Sequence, residues 1–313
     1  MVFIGASLVC STTGAVRWRA ETQVHLHIYL RCVIIVVIAS ALAMLYGGVW
    51  CIMKIITINI NKGGTGKSTV SYNLAKWLAE EQNKKVLLVD GDRSCNLSFS
   101  LIKEDSSNIV DIFKNKEVKI IPINENLDFI SGSEKLEDDY LNLKSKQNNC
   151  MIFFMWVFDN IENLNKYDYL IIDTHNDTSL VTSNFLAVSD MVLGVAEPSR
   201  NGYRAWLELL DTVDYLKKEL IDIKTRETYV NTHAYLVANK VDHIGNSSRQ
   251  FLEIAQKDTD YIGMIQKKEL LAKTLLEDKS IFEMKKNMSE KEKMKHNQFF
   301  ENIEYLFHSI IEK

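Results

Sequence analysis

Nine consecutive residues, Asn61-Lys62-Gly63-Gly64-Thr65-Gly66-Lys67-Ser68-Thr69, bring together the groups that hold a polyphosphate: glycines, two ammonium groups and hydroxyls. Glycines let backbone N–H groups curl around oxyanions, and a helix that starts at such a turn adds the positive end of its dipole. Lys67 is placed to reach the β- and γ-phosphates of a nucleotide, and the Ser68 hydroxyl to hold Mg2+. The flanks supply the strand and helix this chemistry needs. Ile55 to Ile60 is a short, β-branched apolar run that reads as a buried parallel strand. Val70, Leu74, Trp77 and Leu78 then follow at helical spacing. Two further apolar runs, Lys85 to Asp90 and Tyr167 to Asp173, each end in a carboxylate. In open parallel sheets ligands gather at the carboxyl ends of strands, so Asp90 and Asp173 are delivered to the mouth of the loop.

The loop departs from G-x-x-x-x-G-K-[ST], because Asn61 takes the place of the first glycine and Lys62 comes directly after it. In this form, K-G-G-T-G-K-S-T, it resembles the deviant phosphate-binding loop of the ParA/MinD family of ATPases. The resemblance implies that Lys62, the second lysine of that family, reaches the phosphates, often across a dimer that sandwiches two nucleotides. It also implies that Gly63, Gly64, Thr65, Gly66, Lys67, Ser68 and Thr69 line the nucleotide. The segment Asp90-Gly91-Asp92-Arg93-Ser94-Cys95-Asn96 is similar to the family's D-x-D-P-Q-x-N switch, with Asp90, Asp92 and Asn96 in register. By that likeness Asp92 orients the attacking water, and Asp90 and Asp173 join Ser68 in the Mg2+ shell. Lys62, Lys67 and Asp92 are then the catalytic candidates.

Two departures stand out. Arg93-Ser94 replace the usual Pro-Gln, and Thr174-His175-Asn176-Asp177 stand where the family continues from the aspartate with one or two prolines. A single histidine beside a phosphate site is more often structural than catalytic, so His175 is given no chemical role. Further on, a strand over Ala234 to Ala238 leads into Asn239-Lys240-Val241-Asp242. The resemblance places Asn239 against adenine. N-K-x-D is also the base-reading motif of GTPases, in which the aspartate accepts from guanine. An unpaired buried carboxylate is expensive, so such a site discriminates strongly. Asn239 and Asp242 are therefore the base-binding candidates, with ATP favoured and GTP left open.

The chain has 46% hydrophobic and 25% charged residues, the balance of a globular protein with a substantial core. Its net charge is -4; the first 52 residues carry three arginines against one glutamate, or +2, which leaves -6 for the rest. An acidic body argues against coating nucleic acid over the whole surface. Residues 1–52 differ in character from residues 53–313. An uncharged run from Cys32 to Met53 is long enough to cross a bilayer. Positive charge on its N-terminal side would, however, send the nucleotide-binding domain away from ATP. Residues 1–52 are therefore expected to precede a physiological start at Met53, or else to be a membrane anchor, with residues 53–313 forming the P-loop domain. Five cysteines without a C-x-x-C pair point to a reducing cytosol rather than to a disulfide framework.

Elsewhere, short strands are expected at Val118 to Ile123 and Leu127 to Ile130, and an exposed helix or loop from Leu136 to Gln147. One helix is expected over Met151 to Leu164, a strand at Met191 to Val195, a long helix from Ser199 to Leu220 and a last strand at Tyr261 to Ile265. From Lys267 to Lys295 nine lysines meet six acids, a weak patch for DNA phosphates. The final helix, Asn297 to Lys313, is apolar on one side and acidic elsewhere. A membrane-targeting helix would be basic, so this one should close the core.

The pattern is α/β: a doubly wound, mostly parallel sheet with helices on both faces, a three-layer P-loop NTPase. The resemblance covers essentially Met53 to Lys313. It implies a ParA-like ATPase that binds MgATP, dimerises around it and hydrolyses it slowly to drive plasmid or chromosome partition. The implied partners are a second copy, nonspecific DNA and a ParB-like centromere-binding adaptor, in the cytoplasm on the nucleoid, with membrane binding disfavoured. A MinD-like positioning switch and a metabolic P-loop enzyme are the alternatives.

Overall fold

The computed structural model describes residues 53–102, 107–242 and 245–313. The expectations for residues 1–52 lie outside the described residues. Eight strands form one sheet in the order β3-β4-β2-β5-β1-β6-β7-β8. They are β1 (Lys54–Asn59), β2 (Val86–Gly91), β3 (Ile121–Pro122), β4 (Leu127–Ile130), β5 (Tyr169–Thr174), β6 (Met191–Ala196), β7 (His233–Val241) and β8 (Tyr261–Gln266). All pairings are parallel except that of the two-residue β3 with β4. The expected strand over Val118 to Ile123 shrinks to this edge piece, where Pro122 has no ladder bond to give.

The strands are buried on both sides, and alternate residues serve opposite faces. Ile56, Ile58, Val86 and Leu88 meet the first helix, α1 (Lys67–Glu80), with two helices from the C-terminal end. Ile55, Leu87, Val89, Leu170 and Ile172 face the other way. Between β2 and β5 come α2 (Asn96–Leu101), α3 (Val110–Phe113), α4 (Ile152–Asp159) and α5 (Ile161–Leu164). After β5 the helices are α6 (Leu180–Val188), α7 (Arg200–Glu219), α8 (Asn246–Ala255), α9 (Glu269–Glu277), α10 (Ile281–Asn287) and α11 (Glu290–Ile311). Phe113, Phe153 and Phe185 fill the second face, and α7 and α8 close it near β6 and β7 with Trp206, Leu209 and Phe251.

The final helix behaves as expected and is longer. Phe299, Phe300, Ile303, Leu306, Phe307 and Ile310 are all buried, and Phe307 packs against Trp77 with ring centroids 5.5 Å apart. Its start moves back to Glu290 because Ser289 and Glu292 form a capping box ahead of a fully polar first turn. The single helix expected over Met151 to Leu164 is broken at Asn160, and Leu136 to Gln147 is mostly turns whose Leu136, Leu141 and Leu143 are buried. No helix among the described residues is long and apolar enough to cross a membrane.

Candidate functional site

The carboxyl ends of β1, β2, β5 and β7 converge on one cleft of about 650 Å³, lined by residues 64–69 and by Asp92, Asn96, Phe99, Asn176 and Lys240 among others. Its floor is the loop between β1 and α1. Gly66 is the cap residue of α1 and has φ +94°, a conformation that favours glycine. A Cβ there would sit 2.6 Å from the Asn239 amide nitrogen. Among the described residues no side chain caps this helix, which leaves its first-turn N–H groups free of a side-chain acceptor where residues 66–69 line the cleft, the arrangement that suits an anion.

Lys67 is buried, and burial pulls its ammonium below the ordinary lysine range against the attraction of Asp173, Asp92 and Asp177. A desolvated cation at the edge of an open cleft is well suited to a polyphosphate. Asp173 is fully buried at the end of β5 and accepts a hydrogen bond of 3.0 Å from the Ser71 hydroxyl. Its Oδ2 finds no hydrogen-bond donor among the described residues. Burial, then the nearby Asp90, pushes this carboxyl up to about 8, with the Ser68 hydroxyl and Lys67 pulling it back. A buried carboxylate oxygen with no partner, next to Ser68 and to a phosphate cradle, fits a hard divalent cation such as Mg2+.

Asp90 is also fully buried, and burial raises it to about 6. Both of its oxygens are engaged: Oδ2 accepts from the Ser98 N–H at 2.9 Å and the Ser98 hydroxyl at 2.7 Å, and Oδ1 from the Asp92 N–H at 3.2 Å. It thus ties the switch segment to the start of α2. Asp92 lines the cleft, its Oδ1 accepting from the Ser94 N–H at 2.7 Å and lying 2.6 Å from His175 Nδ1.

Lys62 lies elsewhere. Its ammonium pairs with the Glu197 carboxylate and donates to Ser199 Oγ at 3.1 Å, on the loop between β6 and α7. Ser199 Oγ also accepts from the Gly202 N–H at 2.9 Å, capping α7. The structure therefore gathers Gly64 to Thr69, Asp92 and Asp173 at one place and turns Lys62 aside from it.

The end of β7 braces the loop. Asn239 Nδ2 donates to the Thr65 carbonyl at 2.6 Å, and Lys240 Nζ to the Gly64 carbonyl at 2.5 Å. Asp242 is exposed just beyond β7, its N–H donating to Ser248 Oγ at 3.0 Å. Lys240 is a site residue that motif reasoning passes over, although it directly follows Asn239. Arg93 and His175 also gain a place that their sequence context does not foretell: Arg93 Nε donates to His175 Nε2 at 3.3 Å, and its Nη1 to Glu137 at 2.6 Å.

Residues 53–226 match the family model described as AAA domain. An uncharacterized protein of Methanocaldococcus jannaschii is 27% identical over 250 residues, covering 75% of this chain and 93% of its own. The sporulation initiation inhibitor protein Soj of Bacillus subtilis is 32% identical over 183 residues, covering 53% of this chain and 67% of its own. Among solved structures, a putative plasmid partition protein of Borrelia burgdorferi bound to AMPPNP superposes with a TM-score of 0.64 at 22% identity, over 83% of this chain and 99% of that one. Apo McdA of Cyanothece superposes with a TM-score of 0.67 at 20% identity, over 82% and 99%.

Proposed function

This chain belongs to the AAA-domain family and is a ParA-like P-loop ATPase, and from that premise we propose that it is a DNA-partition switch whose assembly state follows its nucleotide. It binds ATP in the cleft above Gly64 to Thr69, with Lys67 on the phosphates and Asn239 and Lys240 keeping the loop in shape. Ser68 and Asp173 hold Mg2+, with Asp90 behind them through its hold on the switch segment. That cation neutralises charge on the phosphate oxygens when bound. Asp92 orients the attacking water. Lys62 leaves Glu197 and reaches the phosphate tail of a neighbouring copy, so that dimerisation and hydrolysis are coupled. A cation supplied to the transition state in this way is worth about 10³–10⁵ in rate in related systems. Slow hydrolysis, accelerated by a ParB-like adaptor, then returns the protein to monomers.

The observation that carries this proposal is the separation of the two lysines. Lys67 sits in the cleft and Lys62 is parked outside it, available to a second copy. Partition as the cellular task draws on the relatives, since the similar Borrelia protein is a putative plasmid partition protein. The dimer is the form expected to hold nonspecific DNA, on the nucleoid in the cytoplasm.

Light scattering with ATP, ADP and no nucleotide, followed by retention on random-sequence DNA across a salt titration, tests the proposal. ATP-dependent dimers whose DNA retention falls with salt are the expected result. Monomers under saturating ATP in an Asp92→Ala variant, which cannot discharge its nucleotide, overturn it. Competition between ATP and GTP for a labelled nucleotide decides the base.

A further inference from the structure

The two places where this chain abandons the prolines of the family it resembles are in contact with each other. Arg93 stands in the switch segment and His175 two residues beyond Asp173, and Arg93 Nε lies 3.3 Å from His175 Nε2. A guanidinium is an obligate donor, so His175 Nε2 must be the acceptor. The ring proton is then on Nδ1, which donates to Asp92 Oδ1 at 2.6 Å. Glu137 holds the other side of Arg93 at 2.6 Å. The His175 and Asp92 side chains are 17% and 8% exposed, well covered beside the open cleft, whereas Arg93 and Glu137 form the outer, solvated end.

The arrangement acts on one oxygen. Asp92 Oδ1 takes two donors, the Ser94 N–H and His175 Nδ1–H, while among the described residues Oδ2 takes none. Neither Arg93 nor His175 fixes its own backbone dihedral as a proline would; their side-chain contact ties the two loops together instead. We propose that His175, held in one tautomer by Arg93, is a positioning residue for the hydrolytic water: it fixes the Asp92 carboxylate so that the second oxygen faces the cleft. This rests on the assignment of Asp92 to the water. His175 does not exchange a proton in the reaction.

The test is single-turnover ATP cleavage by the full chain with ATP alone, alongside binding of a non-hydrolysable ATP analogue. His175→Ala should lower the cleavage rate about tenfold or more, the scale of a mispositioned group, with analogue affinity within about twofold of the parent. His175→Asn, whose amide N–H can take the place of Nδ1–H, should recover most of that loss. Arg93→Ala should slow cleavage in the parent and add nothing in the His175→Ala background. An unchanged rate in His175→Ala, or no recovery in His175→Asn despite intact analogue binding, overturns the proposal. Asp92→Ala separates the two levels. If it abolishes cleavage while His175→Ala cleaves at the parent rate, the tether alone fails; if it cleaves normally, the assignment of Asp92 fails and the tether with it.

Discussion

The Lys62 ammonium rests on the Glu197 carboxylate, and the same lysine is the one that resemblance places on a nucleotide's phosphates. Both side chains are partly open to solvent, so the pair contributes at most about 1 kcal/mol and is readily exchanged for a stronger anion. Glu197→Gln should therefore lower the ATP concentration at half-dimerisation by up to about fivefold, in line with that energy. Lys62→Ala should bind nucleotide yet remain monomeric. Light scattering over an ATP titration checks both, and dimers of Lys62→Ala would contradict the role given to it.

Asp173 offers a second test. Replacing it with Asn keeps an acceptor for Ser71 and removes a carboxyl whose ionised form burial and Asp90 both oppose. The nucleotide-free variant should melt no lower than the parent. The rise in melting temperature that ATP produces only with Mg2+ should disappear. Thermal melts with ATP, with and without Mg2+, read this directly.

Asn239→Ala removes the only donor to the Thr65 carbonyl among the described residues, in a buried place. Leaving that oxygen without a partner should cost about 1–3 kcal/mol of stability. Nucleotide affinity should fall as the loop loses its brace. Lys240→Ala, at an exposed brace on Gly64, should do less. Denaturant unfolding and calorimetric titration separate the two effects.

Phe307→Ala probes the last helix. Phe307 is fully buried against Trp77 and Phe282, so the truncation should cost about 3–5 kcal/mol. Flotation with anionic vesicles should be unchanged and near background. A stable variant that loses vesicle binding would instead make this helix a membrane anchor.

Much of the fold is legible because the strands are short, β-branched and bounded by turns, which is how a doubly buried parallel strand must be written. β1, β2, β5 and β6 fall within a residue or two of expectation. Helix α6 leaves no such mark: every residue from Val181 to Val188 is buried, so no polar face alternates with an apolar one. The polar first turns of α11 are likewise silent until the capping box is noticed. At the site, Lys67, Ser68, Asp92 and Asp173 are legible because strand ends bring them together. Where Lys62 points is not, since Glu197 lies 135 residues away in the chain. Nor is the meeting of Arg93 with His175, which depends on β2 and β5 being sheet neighbours.

Ser199 accepts hydrogen bonds both from Lys62 and from the first turn of α7. A 20-residue helix extends about 30 Å. The bond that caps the helix is the one from Gly202, so an exchange of partners by Lys62 leaves it in place, and the buried Trp206, Leu209, Val213 and Leu216 anchor the helix along that length; the rearrangement stays local to the turn.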